Sequence, residues 1–249
     1  MLTVAGVTYG LAATPAFGFQ RLEISGAAIT PENVVREQLA LADGTNLVGL
    51  STQPMVERLR ELPSVRDATV SVGLPDVVRV ALRERRAVVL WGVGSHRFAV
   101  DETGFVFADV AADAGEDPAV AAIPVVTDER VEAARLDIRS TLDPVDLDAA
   151  TRLASLDPSQ IGSASKALAV IVTDERGFTI SSGPKGWLAV FGKYGRSQRT
   201  PALVPGQVQL LSKLLAGREA TLETIILADD HDGTYIPKPS PRPSATPKP

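Results

Sequence analysis

The stretch LRELPSVRDATVSVGLPDVVRVALRERR, residues 59–86, decides the fold. It opens as the end of an apolar-periodic helix: Met55, Leu59 and Leu62 recur at helical spacing, and Ser51 stands where a cap belongs. Pro63 stops that helix and pushes Leu62 toward extended backbone. From Val65 the period changes to two, with Ala68, Val70 and Val72 on one face and Thr69 and Ser71 on the other. Leu74-Pro75-Asp76 turns the chain, and Val78, Val80 and Leu82 alternate with Arg79, Ala81 and Arg83 on the way back. A helix leading into a two-stranded antiparallel ribbon therefore closes this unit.

The same reading extends toward the N-terminus. Val34, Val35, Leu39 and Leu41 share one helical face after Thr30-Pro31, a predicted start with Thr30 as cap and Pro at the first helical position. Before it, Gln20 to Gly26 alternates as a half-buried strand carrying Leu22 and Ile24 inward. The predicted order is β-α-α-β-β. Beyond it, Ala87–Trp91 and Arg97–Val100 read as strands, and Asp101 to Gly104 as a tight turn. Residues 109–119, rich in Ala, Asp and Gly, read as a loop, and Ile123–Val126 as a short strand. Asp143-Pro144 caps a helix that turns Ala149, Leu153 and Leu156 inward. Leu168–Thr173 and Phe178–Ser182 flank a hairpin turn at 174–177, and Trp187–Phe191 is a further strand. Val208, Leu211 and Leu215 form a helix face closed by Gly217, and Leu222–Leu227 reads as the last strand.

Composition removes several function classes. The 249 residues carry a formal net charge of −5, with 45% hydrophobic and 22% charged residues, which suits a globular chain and not a phosphate-backbone binder. There is no Cys, so no disulfide framework, thiolate zinc site or cysteine nucleophile. Two His, at 96 and 231, leave little for imidazole chemistry. Ser163-Ala164-Ser165-Lys166 matches S-x-x-K, but the S-x-N and K-T-G elements that complete such a site are missing. Gly192-Lys193 lacks a P-loop context, and Gly92-Val93-Gly94 lacks the third Gly of a dinucleotide loop. Asp229, Asp230, His231 and Asp232 read as an acidic solvated turn and not as a calcium loop. No catalytic, cofactor-binding or metal-binding residues are expected, and no cofactor.

Five spaced elements carry a family resemblance. They are Leu22-Glu23-Ile24-Ser25-Gly26, Leu62-Pro63-Ser64-Val65-Arg66-Asp67-Ala68, Leu74-Pro75, Glu84-Arg85, and Val100-Asp101-Glu102-Thr103-Gly104-Phe105-Val106. In order and spacing they resemble the POTRA domain of the FtsQ/DivIB cell-division family, closely over 17–108, while 120–236 resembles the family's second domain in outline. The expected fold class is α+β: a POTRA-type β-α-α-β-β domain at 17–86, a second mixed α+β domain at 87–236, and a disordered Pro-rich tail at 237–249. That tail, PKPSPRPSATPKP, has six Pro in thirteen residues and is expected to make neither ladder nor helix. Residues 1–16 read as the remnant of a transmembrane segment, against a short anchor or signal and a buried leading segment.

The resemblance implies a non-enzymatic divisome scaffold, single-pass, largely extracytoplasmic and placed at the division septum. Its implied partners are bitopic membrane proteins of the FtsB and FtsL type, with a link to septal peptidoglycan synthesis. Neither nucleic acid nor a small-molecule substrate is expected. Open sheet edges suit that role, because another chain can add a strand to them. The expected partner-binding residues are Thr221, Leu222, Glu223, Thr224, Ile225, Ile226, Leu227 and Ala228 of the last strand, with Tyr235 as a nearby anchor. Glu84, Arg85 and Arg86 read as a solvated strand end, with a partner-facing edge as the alternative. Two other readings stand against the scaffold: a cell-envelope hydrolase using Ser163 and Lys166, and the POTRA module of an outer-membrane assembly factor.

Overall fold

The computed structural model describes residues 17–110, 118–197 and 199–239. The readings of 1–16 and of the tail from 240 onward lie outside the described residues. The chain divides into two compact units after Arg86.

The first unit has the predicted element order: β1 (Arg21–Ser25), α1 (Glu32–Leu39), α2 (Gln53–Arg60), β2 (Val65–Gly73) and β3 (Val77–Glu84). The sheet order is β1-β3-β2, with β1 parallel to β3 and β2 antiparallel to it. Apolar alternation sets the inner face: Ala68, Val70, Val78, Val80 and Leu82 pack against Val35, Leu39, Met55, Val56 and Leu59 of the helices. The outer face is charged. Arg79 pairs with Glu23 at 2.8 Å across the sheet, and Arg21 pairs with Asp76 at 2.9 Å. Gly26 is required where β1 ends. Its φ is +75°, and a Cβ there would lie 2.0 Å from the Leu82 carbonyl oxygen.

Both predicted N-caps of this unit are corrected. Helix α1 starts after Pro31 without a side-chain cap, and the Thr30 hydroxyl instead meets the Ser64 hydroxyl at 2.7 Å. Thr52, not Ser51, precedes α2, again without a side-chain cap. The tertiary structure satisfies the first of these loops from outside. The Glu84 carboxylate accepts the backbone N–H groups of Ala28, Ile29 and Thr30 at 2.7–2.8 Å. Glu84 is therefore a clasp between the end of β3 and the loop ahead of α1, neither a free solvated end nor a partner-facing charge. Burial pushes its carboxyl up, but the hydrogen bonds from Thr30 and its neighbours outweigh burial and hold the pKa below the ordinary value.

The second unit is a nine-stranded sheet in the order β12-β11-β10-β9-β8-β7-β4-β5-β6. Its strands are β4 (Val89–Val93), β5 (His96–Val100), β6 (Val106–Asp109), β7 (Val125–Asp128), β8 (Ala169–Thr173), β9 (Gly177–Ser181), β10 (Leu188–Gly192), β11 (Leu222–Leu227) and β12 (Gly233–Pro237). A short helix α3 (Pro118–Ala121) precedes β7, α4 (Pro144–Ala154) crosses from β7 to β8, and α5 (Val204–Leu215) crosses from β10 to β11. The Asp143 cap forms as predicted, its carboxylate accepting the Val145 N–H at 2.7 Å. So does the turn at Asp101, whose buried carboxylate accepts the Thr103 and Phe105 N–H groups.

One face of this sheet holds the core. Val89, Trp91, Val126, Val170, Ile180, Ala189, Phe191 and Ile225 lie in one apolar cluster with Ala149, Ala150 and Leu153 of α4 and Leu211 and Leu215 of α5. A buried polar network crosses it. Asp128 accepts from the Trp91 indole at 3.1 Å and from Arg130 through both oxygens, and Arg130 reaches on to Asp146 at 2.8 Å.

Candidate partner-binding surface

The structure corrects where the sheet ends. Strand β11 is not the margin: it lies between β10, to which it is parallel, and β12, to which it is antiparallel. The sequence hides β12 because Gly-Thr-Tyr-Ile-Pro has no apolar alternation against a core and ends in Pro. Its pairing is nevertheless continuous from Leu227–Gly233 to Leu222–Pro237, and the Lys238 N–H donates to the Thr221 carbonyl at 2.7 Å. The ladder thus runs past the position where the Pro-rich tail was expected to leave it.

The predicted partner residues consequently divide. Leu222, Ile225 and Leu227 are core, Thr224 is half-buried, and Glu223 and Ile226 are exposed. The outer backbone of 222–227 is taken by β12, so a chain cannot add there while β12 is in place. Tyr235 lies on β12, opposite Ile225, with the Arg218 guanidinium 5.7 Å from its ring centroid. All five residues of β12 are exposed, and among the described residues no strand pairs with its outer side. Because the Lys238 N–H points inward, strand alternation turns the Thr234 and Ile236 N–H groups inward too and the Tyr235 N–H outward.

Two anchors fix this margin. At one end, the Phe191 and Leu227 carbonyls, at the ends of β10 and β11, each accept from Arg199 and from the buried amide of Gln207. The Tyr194 hydroxyl donates to the Gln207 carbonyl oxygen at 2.7 Å, and burial raises its pKa strongly. At the other end, the Glu219 carboxylate receives the Ser163 hydroxyl, the Ala164 N–H at 2.9 Å and the Trp187 indole at 2.9 Å. Burial pushes Glu219 up, but these donors prevail and hold its pKa down. Ser163 is thus engaged by Glu219 and not by Lys166, which is exposed. The S-x-x-K match places no base on the serine.

The acidic turn between β11 and β12 spends its groups internally. Asp229 accepts the His231 and Asp232 N–H groups at 2.7 and 2.6 Å, and Asp230 meets the His231 imidazole at 2.8 Å. Ligand atoms of Asp229, Asp230 and His231 lie within 4.8 Å of one another, and the carboxylates are already committed to the turn.

Among the described residues no helix packs on the opposite sheet face from β7 to β12, where Ile226, Thr234 and Ile236 are exposed and Ile171, Leu188 and Val190 half-buried. One row crosses six strands as Thr127, Ile171, Thr179, Val190, Ile226 and Thr234. The next row runs Ala169, Ser181, Leu188, Thr224 and Ile236. Neither row contains a charge. At β4–β6 the same face is closed by a separate cluster of Leu90, Ala99 and Phe107 with Val120 and Ile123. No helix among the described residues is long and apolar enough to cross a membrane.

Comparison with known proteins accords with this architecture. Residues 17–85 match the family described as POTRA domain, FtsQ-type. The cell division protein FtsQ of Rhizobium meliloti is 34% identical over 92 residues, 37% of this chain and 30% of that protein. That of Streptomyces venezuelae is 32% identical over 111 residues, 44% of this chain and 41% of the relative. That of Chloroflexus aurantiacus is 25% identical over 223 residues, 88% of this chain and 70% of the relative, so the likeness reaches into the second unit. The chain is similar to the FtsQ cell-division proteins, and its residues 17–85 match the FtsQ-type POTRA domain.

Proposed function

We propose that this chain is a non-enzymatic scaffold of the division septum that docks a partner by strand addition to β12. The observation that carries the reading is the outermost strand itself: exposed along its length, uncharged, its outer backbone unpaired among the described residues, and held in place from behind by Tyr235 on Arg218. An unpaired strand edge with an amphipathic aromatic beside it is suited to a peptide that pairs through its main chain. The partner set is that of bitopic membrane proteins of the FtsB and FtsL type, met on the extracytoplasmic side of the cell membrane. The domain limits 17–86 and 87–236, with a membrane-linked leading segment, belong to the same proposal. Of the sequence-derived residues, Tyr235 contributes directly. Thr221 to Ala228 contribute by templating β12.

The test replaces the outward donor. Tyr235→Pro removes an N–H that makes no bond to β11, and an edge strand tolerates Pro on that side. Partner capture by the purified full chain should be lost in Y235P and retained in Tyr235→Phe, with cooperative thermal unfolding showing that both variants are folded. Undiminished capture by a folded Y235P protein would refute strand addition at β12.

A further inference from the structure

We propose that the face of β7–β12 opposite the helices of the second unit is a self-association surface, on which a second copy of this chain docks sheet to sheet. It is independent of the strand-addition reading, because it uses side chains on a face and not the backbone of an edge.

The first unit shows how this chain treats a sheet face left to water. Its outer face carries Glu23 and Arg79, paired across the strands, with Arg21 and Arg83 beside them. Charged residues on that side keep a half-covered sheet solvated and single. The second unit does the opposite. The two rows, over six and five strands, hold Thr, Ser, Ala and aliphatic residues with no Lys, Arg, Asp or Glu in either, and the one buried member, Thr179, donates its hydroxyl to the Ile171 carbonyl. Ile171, Leu188, Val190, Ile226 and Ile236 project there and belong to none of the apolar clusters. Ile226 is 39% exposed and Ile236 50%.

A second copy is the occupant that this chemistry favours. A face without charge is electrostatically complementary to itself, and a two-fold axis through it places aliphatic rows on aliphatic rows with no like charges opposed. β-Branched faces of this kind are what aligned sheets interdigitate across about 10 Å. With strands about 4.8 Å apart and same-face residues about 6.7 Å apart, the eleven positions of the two rows cover about 350 Å2 per copy. Two copies then bury about 700 Å2, below the range of stable interfaces, which sets a weak, concentration-dependent dimer and not a permanent one.

Val190 sits on β10 near the middle of the longer row, so in a two-fold dimer its copies lie close together. The experiment is sedimentation equilibrium of the full chain over a wide concentration range. Wild type should shift from monomer to dimer as concentration rises. Val190→Lys and Val190→Glu should each weaken the dimer by more than about tenfold, since each buries an unpaired charge. An equimolar mixture of V190K and V190E should restore it. As Val190 is half-buried, Ile226→Lys and Ile226→Glu, at a more exposed position in the same row, repeat the series, with thermal midpoints confirming folding. A wild type that stays monomeric throughout, or a dimer unaffected by both pairs of variants, would overturn the proposal. So would a monomeric wild type whose I226K variant loses partner capture, because the face would then belong to the partner. Loss of capture in Y235P with the dimer intact would leave this proposal standing, and the reverse pattern would leave the other.

Discussion

At the scale of single residues, the side chains that looked functional are structural, and their environment explains why the sequence could not show it. Ser163 and Glu84 are each defined by groups more than fifty positions away: Glu219 for the first, the N–H groups of 28–30 for the second. Local spacing carries no trace of such pairings. Glu84 makes a pH prediction. Its folded pKa lies below the ordinary 4.5, so the ionised form stabilises the first unit. That contribution is complete above the ordinary value and is lost as pH falls through the lowered one. Glu84→Gln should lower stability at pH 7 by about 1–3 kcal/mol. The gap between wild type and E84Q in urea midpoint should narrow on acidification below pH 4.5. An unchanged gap at pH 3 would show that the carboxylate charge is not what closes the loop.

At the scale of elements, periodicity reads well where one face is buried and fails where none is. Strands β2 and β3 were legible because Val70, Val78, Val80 and Leu82 alternate against a helix layer. Strand β12 was not, since its residues are exposed and its only signal is pairing with β11. The caps divide in the same way. Asp143 satisfies its own helix, whereas Thr30 is drawn off to Ser64, a contact across 34 positions. Below the margin, Gln207 ties the ends of β10 and β11 together while fully buried. Gln207→Leu leaves the Tyr194 hydroxyl without its acceptor and should destabilise the second unit by about 1–3 kcal/mol. Hydrogen exchange at Phe191 and Leu227 should quicken more than at Val170. Uniform quickening across the sheet would indicate a global effect and not a local tie.

At the scale of the whole molecule, four of the five spaced elements lie in the first unit and made it readable from sequence, and the second was readable only in outline, because three of its pairings are parallel. Parallel neighbours are joined through long crossovers, so adjacency leaves no short-range mark. The two units have separate apolar cores. Breaking the buried Arg130–Asp128 pair by Arg130→Leu should cost about 3–5 kcal/mol, since Asp128 stays buried without its cation. Combined with E84Q, its effect should add within about 0.5 kcal/mol in matched denaturation series. A larger discrepancy would mean that the units do not respond independently.

The parallel pairing of β1 with β3 also has a mechanical meaning. A pull on the chain ahead of Arg21 and an opposite pull beyond Glu84 act along these two neighbouring strands in the sense that slides one past the other. Every rung between them is then loaded together, and not one after another as in an unzipping hairpin. The first unit is arranged as a shear joint, suited to carrying tension between whatever holds its leading end and whatever grips the sheet that follows.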